Sequence, residues 1–257
     1  MKTGDIVAEH SVDHIPRRMD YLHLHPHCEV LFVLGGTTVQ LRRDGAETEV
    51  RAPCAIFEPA YAMHGANVVE GLPYERYILY FDESAPRDWL PLPDFWVLPM
   101  TEAEAQELLP YFERLARPDG YDPERRLLLS LILCVLCRLC GDGHRSVLRS
   151  SVSYIQQVVR YISEHCAEPL TTPGIARQFL VNRNKLNRDF QEYTSMTVHD
   201  FLTEVRVNRA KQMLRGGMSV GDTATECGFS DAGYFISVFR RACGCTPAAY
   251  RKARRES

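Results

Sequence analysis

The chain has 257 residues and a formal net charge of −3, enough for one large domain or two ordinary ones of roughly 100–200 residues each. Hydrophobic residues make up 45% and charged residues 25%, which excludes a disordered or collagen-like chain. The stretch from Met1 to His10 lacks the basic-then-apolar pattern of a secretory signal. The longest apolar run, Leu127 to Leu136, is broken by Ser130 and falls short of the roughly 20 residues of a membrane helix. A cytoplasmic protein with no membrane partner is expected, its nine cysteines reading as reduced thiols. The charge is unevenly placed. Residues 1–150 carry 15 basic and 23 acidic side chains, net −8, whereas residues 151–257 carry 15 and 10, net +5. That asymmetry points to a polyanion facing the second half only.

In chain order, Glu29–Leu34 is a continuous apolar run closed by Gly35-Gly36, and Val39–Arg42 alternates. Asp44-Gly45 is a hairpin turn, Thr48–Val50 follows, and Cys54–Phe57 and Tyr77–Phe81 add buried strands. Several short strands at this spacing predict a small sandwich or barrel. His23, His25, His27 and Glu29 alternate as along one strand and share a face. His64 is placed to close that site from another strand. Imidazoles with a carboxylate suit Zn, Fe, Mn or Ni, although pocket-lining histidines without metal are equally compatible with the spacing. His23, His25, Glu29 and Gly36 resemble the cupin motif H-x-H-x3-E-x6-G, with Pro59 and His64 fitting its second block approximately. Pro53-Cys54 depart from that block's usual Gly-Asp. The expected effector pocket comprises His23, His25, Glu29 and His64, with Arg42, Tyr61 and Tyr77 as polar neighbours. No cofactor is called for, and His23, His25, Glu29 and His64 are the candidate metal ligands.

After the Pro-rich Pro86–Pro99 segment, Thr101 caps a predicted helix from Glu102 to about Leu115. Asp122 caps a second, with Pro123 at its first position, running to about Cys140. That helix is apolar around much of its circumference and needs cover on more than one side. A dimer partner is the simplest second cover. Cys134, Cys137 and Cys140 drift along one face of it and read as small buried hydrophobes. Gly141–Ser146 marks the domain border.

Tyr154–His165 has apolar residues at helical spacing. Thr171 caps a short helix through Phe179, and Asn182 caps another to about Tyr193 with Leu186 and Phe190 inward. Thr197–Leu214 is a long helix with Phe201, Leu202, Val205 and Leu214 apolar. The unit then recurs: Ser219 caps a helix with Val220, Ala224 and Cys227, Gly228 turns the chain, and Ser230 caps Asp231 to about Ala242. Ala176 and Ala224 hold equivalent places about 48 residues apart. This is helix-turn-helix twice, joined by one long helix. Val220, Ala224, Cys227-Gly228-Phe229-Ser230-Asp231, Tyr234-Phe235, Phe239-Arg240, Gly244, Thr246-Pro247 and Tyr250-Arg251 resemble the signature of the AraC/XylS family of transcriptional regulators. Ala176, Leu186, Arg188, Phe190, Arg206 and Ala210 fit its first unit. Ser195 departs from it, standing where the family usually has Gly.

The fold class expected is therefore two domains: an N-terminal all-β cupin-like barrel (residues 1–100) followed by dimerisation helices (101–141), then a linker (142–151) and a C-terminal all-α double helix-turn-helix (152–257). The resemblance implies a non-enzymatic, effector-responsive regulator of transcription, with sugars or related metabolites as the common effectors. Its partners are double-stranded DNA, the small-molecule effector, a second copy in a homodimer, and RNA polymerase. Arg183, Asn184, Asn187, Arg188 and Gln191 lie outward on the first recognition helix. Matching the family's contacting positions makes Asn184, Asn187 and Arg188 the base readers, since Asn pairs bidentately with adenine and Arg with guanine. The matching positions of the second helix are Ala232, Gly233, Ile236 and Ser237, which offer close approach and a thymine-methyl contact at most. Arg240 and Arg241 are phosphate candidates, Arg240 with a structural ion pair as the alternative. Arg251-Lys252-Ala253-Arg254-Arg255 is a solvated helix end or a further phosphate contact. Ligand in the barrel would act through the N-terminal segment (Met1 to about Tyr21) or the Leu-rich helix. Two other readings stay open: a metal or thiol sensor using the histidines or Cys28 and Cys54, and a cupin metalloenzyme.

Overall fold

The computed structural model describes residues 6–15, 22–43, 46–86, 90, 92–93, 95–141, 148–149 and 153–253. The expected Asp44-Gly45 turn, most of the N-terminal segment and of the 142–151 linker, and Arg254-Arg255 lie outside them. The chain divides into two compact units, residues 1–152 and 153–257.

The first unit contains β1 (Ile6–Asp13), β2 (Cys28–Leu34), β3 (Thr38–Arg43), β4 (Ala46–Arg51), β5 (Cys54–Glu58), β6 (His64–Glu70), β7 (Tyr74–Phe81), β8 (Phe95–Pro99), α1 (Glu102–Leu115), α2 (Asp122–Gly141) and β9 (Leu148–Arg149). One sheet has the order β1-β7-β2-β5-β8-β9 and the other β4-β3-β6. The expected closed barrel is thus corrected: among the described residues the two sheets keep separate edges. β2 explains the layering. Its continuous apolar run is buried on both faces, as such runs require. Val30 and Phe32 join Leu79, Phe81, Leu108, Phe112, Ile132 and Leu136 in the core between the large sheet and α1/α2. Leu31 and Val33 join Val39, Leu41, Ile56 and Val68 between the two sheets. Glu29 belongs to this second face, which places the histidine site between the sheets.

The expected strand through His23 to Glu29 is also corrected. His23 makes only an isolated bridge with His64, each amide donating to the other's carbonyl at 2.9 Å. The chain then bends at Pro26-His27 before β2 begins. Pro26 has no N–H to continue a ladder. Thr101 caps α1 through a capping box with Glu104. On α2, Leu129, Ile132, Leu133 and Leu136 are buried, whereas Leu127 and Leu131 remain 64% and 41% exposed. Cys140 is buried, and Cys134 and Cys137 are half-buried. No helix among the described residues is long and apolar enough to cross a membrane.

The second unit is all helix: α3 (Tyr154–Glu164), α4 (Thr172–Gln178), α5 (Arg183–Thr194), α6 (Val198–Arg215), α7 (Val220–Glu226), α8 (Ala232–Cys243) and α9 (Pro247–Ala253). Ser153, Thr171, Asn182, Thr197 and Ser219 cap α3 to α7, each accepting from an amide of the first turn. Each such cap contributes about 1 kcal/mol. At α8 the expected cap shifts by one residue. Asp231, not Ser230, accepts from the Tyr234 amide at 2.6 Å, and a carboxylate suits the positive end of a helix. Ala176 and Ala224 are buried as expected, and Phe235 and Phe239 repeat Leu186 and Phe190 inward.

Candidate nucleic-acid interface and histidine cluster

On α5, Leu186 and Phe190 face the core, which turns Arg183, Asn184, Asn187, Arg188 and Gln191 to solvent along the opposite side. Asn182, Arg183, Asn184, Lys185 and Arg188 line one open cleft at the start of this helix. Its first-turn amides and these cations together favour an anion. Arg188 donates to Asp189 through Nε and Nη2 at 3.3 and 3.1 Å. Lys185 Nζ reaches the other Asp189 oxygen at 2.5 Å. These contacts, with the hydroxyl of Tyr154, hold the Asp189 carboxyl down at about 2; Lys185 contributes most.

On α8, Phe235, Val238 and Phe239 are buried, leaving Ala232, Gly233, Ile236, Ser237, Arg240 and Arg241 exposed on the outer side. Arg240 and Arg241 lie in the last turn of α8, both exposed. Arg251 turns partly inward and donates to the Met218 carbonyl at 3.3 Å. Tyr234 of the signature is half-exposed (47%), and Lys185 was not singled out from sequence. Lys185 sits one turn ahead of Asp189, and that i,i+4 charge pair was a legible local signal.

Both helix-turn-helix motifs end their second helix in the left-handed region, at Ser195 (φ 58) and Gly244 (φ 73). A serine held at this φ carries a strain that glycine at the same place avoids. Leu180 (φ 55) and Gly228 (φ 78) match in the same way one helix earlier.

Residues 175–253 match the family model described as a helix-turn-helix domain. The C-terminal unit is a helix-turn-helix domain. The chain is 37% identical over 109 residues to the transcriptional regulator ArgR of Pseudomonas aeruginosa, covering 42% of this chain and 33% of that protein. It is 30% identical over 121 residues to the transcriptional activator RhaR of Mannheimia succiniciproducens, covering 47% and 43%. It also aligns with the structure of the DNA-binding domain of AdpA in complex with a target DNA, at 31% identity and a TM-score of 0.39, covering 40% and 93%. The chain spans less than half the length of the curated relatives named here.

In the first unit, ligand atoms of His23, His25, Glu29 and His64 lie within 4.8 Å of one another. His25 Nδ1 bonds the His27 carbonyl at 2.8 Å, and His64 Nδ1 bonds the Ala62 carbonyl at 2.9 Å. A carbonyl only accepts, so both Nδ1 atoms carry hydrogen and each Nε2 is turned into the cluster. His25 Nε2 lies 2.9 Å from Glu29 Oε2. His64 Nε2 lies 3.6 Å from the same oxygen, within ion-pair range but too long for a hydrogen bond, and is buried without a hydrogen-bond partner. Burial opposes both charges of this pair, but their mutual attraction prevails. With His25, which contributes most, it holds Glu29 near 2, and with Glu58 it lifts His64 to about 9. Burial and the neighbouring His64 push His23 down to about 4.

Behind the cluster, buried Arg43 donates to Glu58 at 3.2 Å and to the Phe57 carbonyl at 3.1 Å. Trp96 Nε1 donates to Glu58 at 2.9 Å. Glu29 and Glu58 are register partners on β2 and β5, as are Arg43 and His64 on β3 and β6. The sequence reading did not find Arg43, Glu58 and Trp96. Tyr80 packs edge-on to His25 at 5.4 Å. Tyr77 instead lies on the opposite face of β7, stacked on His10 and packed near Phe32 and Phe112. Arg42 is half-buried on the face of β3 opposite Leu41 and Arg43. Tyr61 donates its amide to the His25 carbonyl at 2.9 Å, and its ring packs on the helix-side core. His27 contributes its carbonyl to His25, and its ring stacks on the His25 ring with centroids 6.2 Å apart. Burial lifts the Cys54 thiol to about 12, which disfavours it as a reactive thiol.

Proposed function

We propose that the protein is a cytoplasmic transcription regulator of the AraC/XylS type that binds double-stranded DNA through both helix-turn-helix units. The observation that carries this reading is the repeated unit itself: two second helices, α5 and α8, each with one buried and one solvent-facing side, joined by α6. Such helices enter the major groove about one turn of DNA apart. Asn184, Asn187 and Arg188 read bases, while Arg183, Arg240 and Arg241 take phosphates. Ala232, Gly233, Ile236 and Ser237 let α8 approach closely and position the domain. A homodimer is supported by the apolar strip of Leu127 and Leu131 on α2.

In vitro selection with the full chain on a random duplex pool tests this reading. A preferred site is expected to emerge, and Asn187→Ala or Arg188→Ala should lose about 1–3 kcal/mol on it with a relaxed preference. Equal loss on selected and random duplexes overturns the assignment.

A specific observation favours a metal as the signal or as part of the effector site, the metal-sensor reading. The unpartnered His64 Nε2, the His25 Nε2 and Glu29 Oε2 converge, with each Nδ1 fixed by a backbone carbonyl, the outer-shell arrangement typical of histidine ligands. His23, His25, Glu29 and His64 would hold a divalent ion of the Zn, Mn, Fe or Ni class. The ion would supply a charge that locks β2 to β6. Saturation at about 100 times Kd should stabilise the full chain by about 2.7 kcal/mol, and His64→Ala should abolish that gain. Thermal unfolding indifferent to all four ions, each at millimolar excess, rejects the metal and leaves an organic effector.

A further inference from the structure

The Asp189 carboxylate lies beside the proposed base reader yet opposes the sign of DNA binding. One oxygen receives Nε and Nη2 of Arg188, and the other receives Lys185 Nζ and the Tyr154 hydroxyl. The Lys185 ammonium also stands 5.2 Å from the centre of the Tyr154 ring. Tyr154 belongs to α3, so a different helix holds the carboxylate in place. Arg188 remains 64% exposed and Lys185 45% exposed, while Asp189 is only 15% exposed.

We propose that Asp189 is a specificity-determining residue for DNA, with Tyr154 as its positioning residue. Three consequences follow from the geometry. Asp189 engages one edge of the Arg188 guanidinium. Arginine has five N–H donors in a rigid fork, so donors remain for the paired acceptors of a guanine edge. The carboxylate restrains two cations that would otherwise swing freely to phosphates, and phosphate attraction carries no sequence information. Its negative charge also lowers the cleft's pull on any duplex. The carboxylate therefore weakens random-sequence binding more than it weakens binding at a site presenting the base Arg188 reads.

This inference rests on Arg188 reading a base, and the experiment separates the two. Full-length wild type, Asp189→Asn, Tyr154→Phe and Arg188→Ala are titrated by fluorescence anisotropy against two duplexes. One is the site selected by wild type from a random pool, and the other is the unselected pool. Asp189→Asn is expected to bind the pool about two- to tenfold more tightly and to steepen its salt dependence. Its selected-to-pool affinity ratio should fall. Tyr154→Phe keeps the charge and loses only the hydrogen bond, so its ratio should fall in the same direction by less. A ratio unchanged in Asp189→Asn means charge repulsion alone and overturns the proposal. Should Asp189→Asn fail to fold by circular dichroism, a wild-type ratio in Tyr154→Phe overturns it instead. If Arg188→Ala leaves the ratio untouched, the base-reading assignment itself has failed.

Discussion

Replacing Gly228 with alanine is expected to cripple the C-terminal unit while sparing the first. Gly228 turns the chain between α7 and α8 at φ 78. A Cβ there would stand 2.5 Å from the Ala167 carbonyl oxygen and 2.8 Å from its carbon. The obstacle is backbone, and it is pinned. Arg206 of α6 donates to the carbonyls of Cys166 and Glu168 at 2.7 and 2.8 Å, on either side of Ala167. The left-handed backbone costs an alanine about 1–2 kcal/mol, and forcing the turn aside adds about 1–3 kcal/mol. If the turn yields, an Arg206 hydrogen bond worth about 1.5–3 kcal/mol goes too. The total of at least about 2–5 kcal/mol is a large share of the roughly 5–15 kcal/mol that holds a domain folded. The melting temperature of this unit should fall by at least about 8 °C. Both tryptophans, Trp89 and Trp96, lie in the first unit. Tryptophan fluorescence therefore follows that unit, and the 222 nm signal also follows the helical second one. The expected result for Gly228→Ala is an early loss of 222 nm signal with an unmoved fluorescence transition. A 222 nm melt within about 2 °C of wild type would refute the close-approach argument.

Other predictions follow from the same reasoning. Ser195→Gly relieves a left-handed side chain that the second helix-turn-helix avoids with Gly244, and should raise the melting temperature of the C-terminal unit by a few degrees, about 1 kcal/mol. Arg43→Met leaves Glu58 buried without its cation and should cost about 3–5 kcal/mol in urea unfolding, less in the Arg43→Met/Glu58→Gln pair. The Asp189 carboxyl should titrate near 2 by carbon-detected NMR and move up towards its ordinary value in Lys185→Met, since Lys185 contributes most to holding it down. Because its folded value is depressed, the associated stabilisation is in place above about 4 and fades as pH falls towards 2.

Legibility followed the range of the interactions. The helix-turn-helix units were readable because their signals are local: Thr171, Asn182, Thr197 and Ser219 announce helix starts, and Leu186, Phe190, Phe235 and Phe239 mark inner faces a turn apart. Only the Ser230-versus-Asp231 cap was misplaced, where two good caps adjoin. The first unit was harder. β1 is an edge strand whose side chains are mostly half-buried or exposed, so it lacks a clean alternation. β8 hides in the Pro-rich stretch, and β6 begins at His64, which the sequence placed on another strand without giving that strand bounds. The four-residue cluster was visible because the His-x-His-x3-Glu spacing is short, though the bend at Pro26 rather than a straight strand assembles it. Arg43, Glu58 and Trp96 meet across separations of 15 and 38 residues, and no local pattern announces such a contact. Tyr77 and Tyr80 show the cost of a strand's period of two: the predicted tyrosine faces the helices and its neighbour faces the histidines.

The central claim, two recognition helices in one DNA-binding unit, is tested most directly by hydroxyl-radical footprinting of the full chain on its selected duplex. The account predicts two protected patches per unit, centred about 10 base pairs apart on one face. Arg188→Ala should erase sequence dependence beneath one patch and leave the other. A single patch, or protection that is the same on any sequence, would contradict it.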